Sequence, residues 1–272
     1  MQETKRNVTK ENDLQRIKEL RLMDDDFFSE ALDGKTEAVE YILNTILERD
    51  DIKVKSTKAQ VEYKSATKRS IKLDIQAEDV HGRLMDIEIQ RSDRGSGVRR
   101  ARFHSSMIDR SLLSKGKDFE DLVDTYVIFI TEKDKFGMGV PLYHIERRIK
   151  EMDHALFGDG AHILYVNGEY RNLEHPVGSL MHDFNCKDAK DMVNPLLAEE
   201  VRYLKETEGG RSQMSRILEE MRNEVAEKVT HNNAVNTALK LLARGRDSIE
   251  EITEITGLSL EEVRKLADNH KA

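Results

Sequence analysis

The 272-residue chain has a single cysteine, Cys186, and only three prolines. One cysteine excludes an intramolecular disulfide framework and any cysteine-rich zinc module, as suits a reducing compartment. Scarce proline leaves few hard breaks, so element boundaries must be found in the hydrophobic period. No stretch approaches the roughly 18 apolar residues of a membrane span, and the opening MQETKRNVTKEND lacks the apolar core of a signal peptide. The expectation is a cytoplasmic protein with no membrane partner. Internal repeats of 20 to 50 residues are missing too, which sets aside solenoids and propellers. What the chain does have is charge: 35% of residues are charged against 38% hydrophobic, enough apolar content for one or two globular domains.

Acids outnumber bases, 52 to 44, for a net charge of -8, which argues weakly against a polyanion partner. The distribution argues the other way. Residues 91 to 117 hold eight Lys or Arg against two Asp, so one local basic surface is available.

Apolar positions at spacings of three and four (Leu14, Ile17, Leu20, then Val39, Ile42, Leu43, Ile46) predict two or three helices over residues 11 to 49. From Lys53 the period switches to two. Ile71, Leu73, Ile75 and Ala77 alternate with polar residues, as do Met85, Ile87 and Ile89, so two half-buried strands are expected. DVHGR between them, with Gly82, reads as the turn of an antiparallel hairpin. Residues 98 to 113 then predict a helix, Thr125 to Thr131 a buried central strand, and 162 to 168 a further strand closed by an Asn-Gly turn. The sequence between those two strands reads as looser. Past about residue 189 no strand pattern returns; Ser212 to Arg244 reads as a long charged helix leading into a pair of short ones.

A hairpin centred on His81 puts Asp74 directly opposite Glu88, both on the polar face. Two carboxylates with Cβ atoms about 5 Å apart repel each other unless a positive charge sits between them. A divalent cation would supply it, since Mg²⁺ takes few protein carboxylates and keeps waters. Gln90 shares that face and is placed to orient an attacking water. Against this stands the bland alternative of a solvated sheet face, where paired acids are common.

The flanking pattern weighs against the bland alternative. LDI at 73 to 75 followed by IEIQ at 87 to 90 resembles the active-site hairpin of the PD-(D/E)XK nuclease superfamily. The likeness extends in order through LMDDDFF (22 to 28), RSIKLDIQAED (69 to 79), DIEIQRSD (86 to 93), RRARFHSSMIDRSLL (99 to 113), TYVIFIT (125 to 131), YHIER (143 to 147) and ILYVNG (163 to 168). Together these runs resemble the bacterial PD-(D/E)XK nuclease family transposases, related to recombination-promoting nucleases. The resemblance implies an α/β, restriction-endonuclease-like core, a mixed sheet flanked by helices, over residues 1–188. A helical C-terminal region with a helix-turn-helix-like end is expected over 189–272. It implies Asp74 and Glu88 as ligands of Mg²⁺ or Mn²⁺, Gln90 at the third motif position, DNA as partner and DNA endonuclease as activity. The superfamily usually has Lys at the third position, although Gln looks normal for the transposase-like branch, and a neutral amide can orient a water but not offset charge on a phosphate. A catalytically inactive DNA-binding or interaction module on the same fold therefore stays open. Lys72, on the strand of Asp74, is a candidate substitute. Asp25 fits the family's further acid from the first helix; the alternative is a helix N-cap, where Asp is preferred and favours the positive end of the dipole.

Arg99, Arg102 and Arg110 fall on one helical face and are the candidate DNA-binding side chains, the alternative being a solvated helix. His104 belongs to the same helix, where a lone His is more often structural. The end of the chain has helix-turn-helix spacing, but its second helix opens Ser259, Leu260, Glu261, Glu262, and carboxylates at a contact end oppose phosphates. Self-association through the C-terminal helices is expected in its place.

Overall fold

The computed structural model describes residues 2–64, 70–91, 95–113 and 116–271. The chain divides into two compact units, residues 1–214 and 215–272.

In the first unit the helical period over residues 11 to 49 becomes α1 (Gln2–Glu19), α2 (Asp25–Leu32) and α3 (Thr36–Ile46). The period-two region becomes β1 (Val54–Tyr63), β2 (Ile71–Asp79) and β3 (Leu84–Gln90), an antiparallel meander. After α4 (Val98–Leu112) the chain crosses back to β4 (Thr125–Thr131), parallel to β3. The segment read as looser contains β5 (Leu142–Ile145) and a ribbon of β6 (Arg148–Ile149) and β7 (Ala155–Leu156). These strands are too short for their alternation to register in sequence. β8 (Ala161–Asn167) runs parallel to β4 and antiparallel to β5, giving a six-stranded mixed sheet in the order β1-β2-β3-β4-β8-β5. α5 (Pro176–Asn185) and α6 (Pro195–Glu206) follow, each opened by Pro at its first position, where the missing N–H costs nothing.

β4 is buried along its whole length, as its unbroken apolar run predicts. On one face Leu73, Leu84, Val127, Phe129 and Tyr165 pack against Ala101, Met107 and Ile108 of α4. α2 and α3 pack against the β1–β3 side of the sheet, and Phe28 of α2 meets Phe184 of α5 with ring centroids 5.7 Å apart.

One expectation is corrected. β2 shows the predicted alternation of burial, but β3 is buried on both faces, down to Asp86 and Glu88 at 0% exposure. β3 sits inside the sheet with α4 over its polar face, so period-two polarity there marks a buried polar site and not a wet surface.

The second unit holds most of α7 (Glu208–Arg244), α8 (Ile249–Thr256) and α9 (Leu260–Lys271) around Ala238, Ile252, Leu258 and Val263. Ser248 and Glu251 form a capping box at the start of α8, and Gly257 ends it in the left-handed conformation at φ 70°. Among the described residues no helix is long and apolar enough to cross a membrane.

Candidate active site

The β2–β3 register pairs Ile75 with Ile87, Gln76 with Asp86 and Ala77 with Met85, the register of a hairpin centred on His81. Asp79 holds the turn: its Oδ1 accepts from the backbone N–H groups of His81 and Arg83, and its Oδ2 from Arg83 Nε. Beyond Ile75 side chains take over from the ladder. The Asp74 N–H donates to Glu88 Oε1 at 3.0 Å, and the Ile89 N–H donates to Asp74 Oδ2 at 2.8 Å. Each acid thus fixes the backbone of the other's strand. Opposite this break Gln60 of β1 is in the left-handed region at φ 55°, and its side chain donates to Ser29 Oγ, which donates in turn to the Asp74 carbonyl. Through Ser29, α2 is tied to the site.

Sequence reasoning passed over two further participants, Asp86 and Arg100, and read a third, His104, as more often structural. Asp86 lies two residues before Glu88 and is as deeply buried. Its Oδ2 is 3.0 Å from Nδ1 of His104, which is buried on α4. Its Oδ1 has no hydrogen-bond partner among the described residues. Arg100 donates from Nη2 to Glu88 Oε2 at 2.8 Å, from Nε to His104 Nε2 at 3.1 Å and from Nη1 to the Gly95 carbonyl at 3.1 Å. The signals were present: Asp86, Glu88 and Gln90 share one parity, and Arg100 and His104 are one helical turn apart beside the apolar positions Ala101 and Ile108.

Burial and mutual repulsion dominate the electrostatics. Desolvation, then the Glu88 charge, pushes Asp74 up to about 8, with Asp25 adding to the rise; the Ile89 N–H and Arg100 oppose it. Desolvation, then Asp86, pushes Glu88 up to about 8 against the pull of His104 and Arg100. Asp86 is raised well above the carboxylate range by burial. Asp86 and Glu88 lie within ligand reach of one another and of His104, a grouping that does not take in Asp74; buried carboxyls that resist ionisation, one with an orphaned oxygen, fit a divalent cation held by hard oxygen donors.

Gln90 ends β3 half-buried, with its amide against Gly95, where a Cβ would stand 1.3 Å from Gln90 Oε1. Glycine at 95 is therefore what lets that amide lie there. Asp25 is exposed in the first turn of α2, and the N-cap position belongs to Asp24. Asp25 therefore does not cap the helix, though its charge in the first turn suits the helix dipole, and that charge is felt at Asp74. Asp24 itself is occupied by the Arg21 N–H and Arg91. Arg99, Arg102 and Arg110 are exposed on α4, opposite the face buried through Ala101, His104, Ser105 and Ile108. They do not converge on the carboxylates; Arg100 does. Lys72 is exposed and paired in register with Glu62 of β1. A second grouping, His182, Asp183 and Cys186, is engaged structurally: both Asp183 oxygens accept from the Val193 and Asn194 N–H groups, and His182 Nε2 lies 2.9 Å from the Asp191 carbonyl.

A mixed sheet with flanking helices, carrying acids on two adjacent strands of its hairpin, defines a restriction-endonuclease-like α/β protein. The profile of the PD-(D/E)XK nuclease family transposases matches residues 26–174, more than half of the chain, and the chain belongs to that family. Nucleases of the PD-(D/E)XK kind generally use divalent metals. No curated protein and no solved structure matches it.

Proposed function

We infer that the protein is a metal-dependent DNA endonuclease of the transposase and recombination-promoting kind, hydrolysing phosphodiesters in the cytoplasm. The observation that carries this is the meeting of Asp74 and Glu88 across β2 and β3, each fixing the other's backbone and each held protonated to about 8 by burial and by neighbouring acids. Asp74 and Glu88 are the residues to hold Mg²⁺ or Mn²⁺, with Asp86 within ligand reach of Glu88 and Asp25 as a further acid from α2. A cation bound there supplies a Lewis acid for a phosphoryl oxygen and makes a neighbouring water more acidic. Gln90 orients the attacking water by hydrogen bonding, its amide given room by Gly95. Arg99, Arg102 and Arg110 on the outer face of α4 take up phosphates and contribute affinity rather than chemistry. The C-terminal helices of the second unit serve self-association: the first turn of α9 spends Glu262 on the Ser259 N–H and hydroxyl and Glu261 on Lys265, which suits packing better than contact with DNA.

The test is nicking of supercoiled plasmid in Mg²⁺, Mn²⁺ or EDTA. Cleavage should appear with either metal, vanish in EDTA, and vanish in Asp74→Ala and Glu88→Ala while DNA binding persists. Equal cleavage by both variants would assign the activity to another protein in the preparation. A second reading, a DNA-binding module without turnover, is favoured by Gln90 and by the Arg100 pair on Glu88; binding without nicking in any metal would establish it.

A further inference from the structure

The centre has a neutral amide, Gln90, where the superfamily's lysine would offset charge on the attacked phosphate. A permanent cation reaches the same carboxylates from another element. Arg100 is held by three acceptors at once, Glu88 Oε2, His104 Nε2 and the Gly95 carbonyl, and its guanidinium lies over the Phe129 ring, 5.8 Å from the centroid. Its side chain is 37% exposed whereas that of Glu88 is fully buried. The guanidinium therefore caps Glu88 from the solvent side, the side open to a polyanion.

The contacts behind Arg100 fix its aim. Arginine only donates hydrogen bonds, so His104 Nε2 must accept, and the proton of the neutral ring must sit on Nδ1, facing Asp86 Oδ2 at 3.0 Å. Asp86, Glu88 and His104 lie within ligand reach of one another, but in that tautomer the imidazole turns an N–H, not a lone pair, toward the carboxylates. His104 is thereby a positioning group.

A divalent ion and a guanidinium cannot share one carboxylate oxygen comfortably, because like charges a few ångströms apart repel strongly in a buried site. We propose that Arg100 is the phosphate-directed cation of the centre in place of the missing motif lysine. A divalent ion competes with it for Glu88 Oε2, and the guanidinium so released meets a DNA phosphate, with His104 and Asp86 as its positioning residues. This rests on reading the site as a nuclease centre. The planar fork of arginine suits the phosphate, binding through two parallel N–H groups. It can offset charge there but cannot move a proton, so the proton of the attacking water leaves by another route.

The experiment uses the full chain and two readings independent of cleavage. Calorimetric titration with Mn²⁺ should show Arg100→Gln binding the ion about tenfold tighter than the parent, the effect of removing one charge-assisted competitor. Fluorescence anisotropy with duplex DNA, in Ca²⁺ against EDTA, should show a Ca²⁺-dependent gain in DNA affinity that Arg100→Gln loses and Arg100→Lys partly restores. His104→Gln should reduce the same gain with Mn²⁺ binding retained. Unchanged or weaker Mn²⁺ binding in Arg100→Gln, or an intact Ca²⁺ gain, overturns the proposal. The nuclease reading is judged separately, by cleavage of the parent in Mg²⁺ or Mn²⁺ against Asp74→Ala: absence of cleavage defeats that reading while the Mn²⁺ and Ca²⁺ measurements still decide the part played by Arg100.

Discussion

Asp74 and Glu88 keep their protons to about 8 in the folded chain, whereas unfolded carboxyls lose them near 4. Between those values the folded state binds more protons, so stability must fall as pH rises through that window, the reverse of the usual carboxylate behaviour. In EDTA the melting temperature should therefore drop by at least about 5 °C between about pH 5 and about pH 8. The double variant Asp74→Asn, Glu88→Gln should flatten the profile, and Mn²⁺ should recover most of the loss at the upper end only in the parent. A parent profile that rises over the window would mean that these carboxyls ionise without penalty and need no cation.

At the scale of elements, the turn between β2 and β3 hangs on one buried acid. Asp79 is fully buried and takes Arg83 together with two backbone N–H groups. Asp79→Ala strands a largely buried guanidinium and should cost about 3 to 5 kcal/mol, read as a lower urea midpoint with unchanged slope. α4 has two working faces: one turns Arg100 and His104 into the site, while the other carries Arg99, Arg102 and Arg110 outward. Replacing Arg99 and Arg102 with Ala should weaken DNA binding uniformly across sequences. Each lost phosphate contact should reduce the log-log salt slope by about 0.9. An unchanged slope makes that face a solvated helix surface.

For the molecule as a whole, the sheet, the candidate ligands and their supporting helices all lie in the unit that ends at Met214. A chain ending there should melt cooperatively and retain Mn²⁺ binding, while losing the self-association assigned to the second unit. Light scattering of the full and shortened chains reads this directly. Equal masses with lost DNA affinity would instead make the α8–α9 pair the DNA reader.

Patterning by itself determined the hairpin and its register as far as Ile75 and Ile87, because side-chain period and turn chemistry are local properties that survive without a partner; that Asp74 and Glu88 meet through side chain–backbone bonds beyond the ladder was decided by the tertiary structure. The helix of residues 98 to 113 and the buried strand 125 to 131 were legible for the same reason. Burial of β3 on both faces was not, since it depends on where a later helix docks. Nor was the choice of Arg100 over Arg99 and Arg102: adjacent arginines look alike in a basic run, and only the packing of Ala101 and Ile108 on the sheet turns one of them inward. Asp86 stayed hidden likewise, and His104 was visible only as a lone histidine, because the two acquire meaning only when the crossover from β3 through α4 to β4 brings them within 3.0 Å of each other.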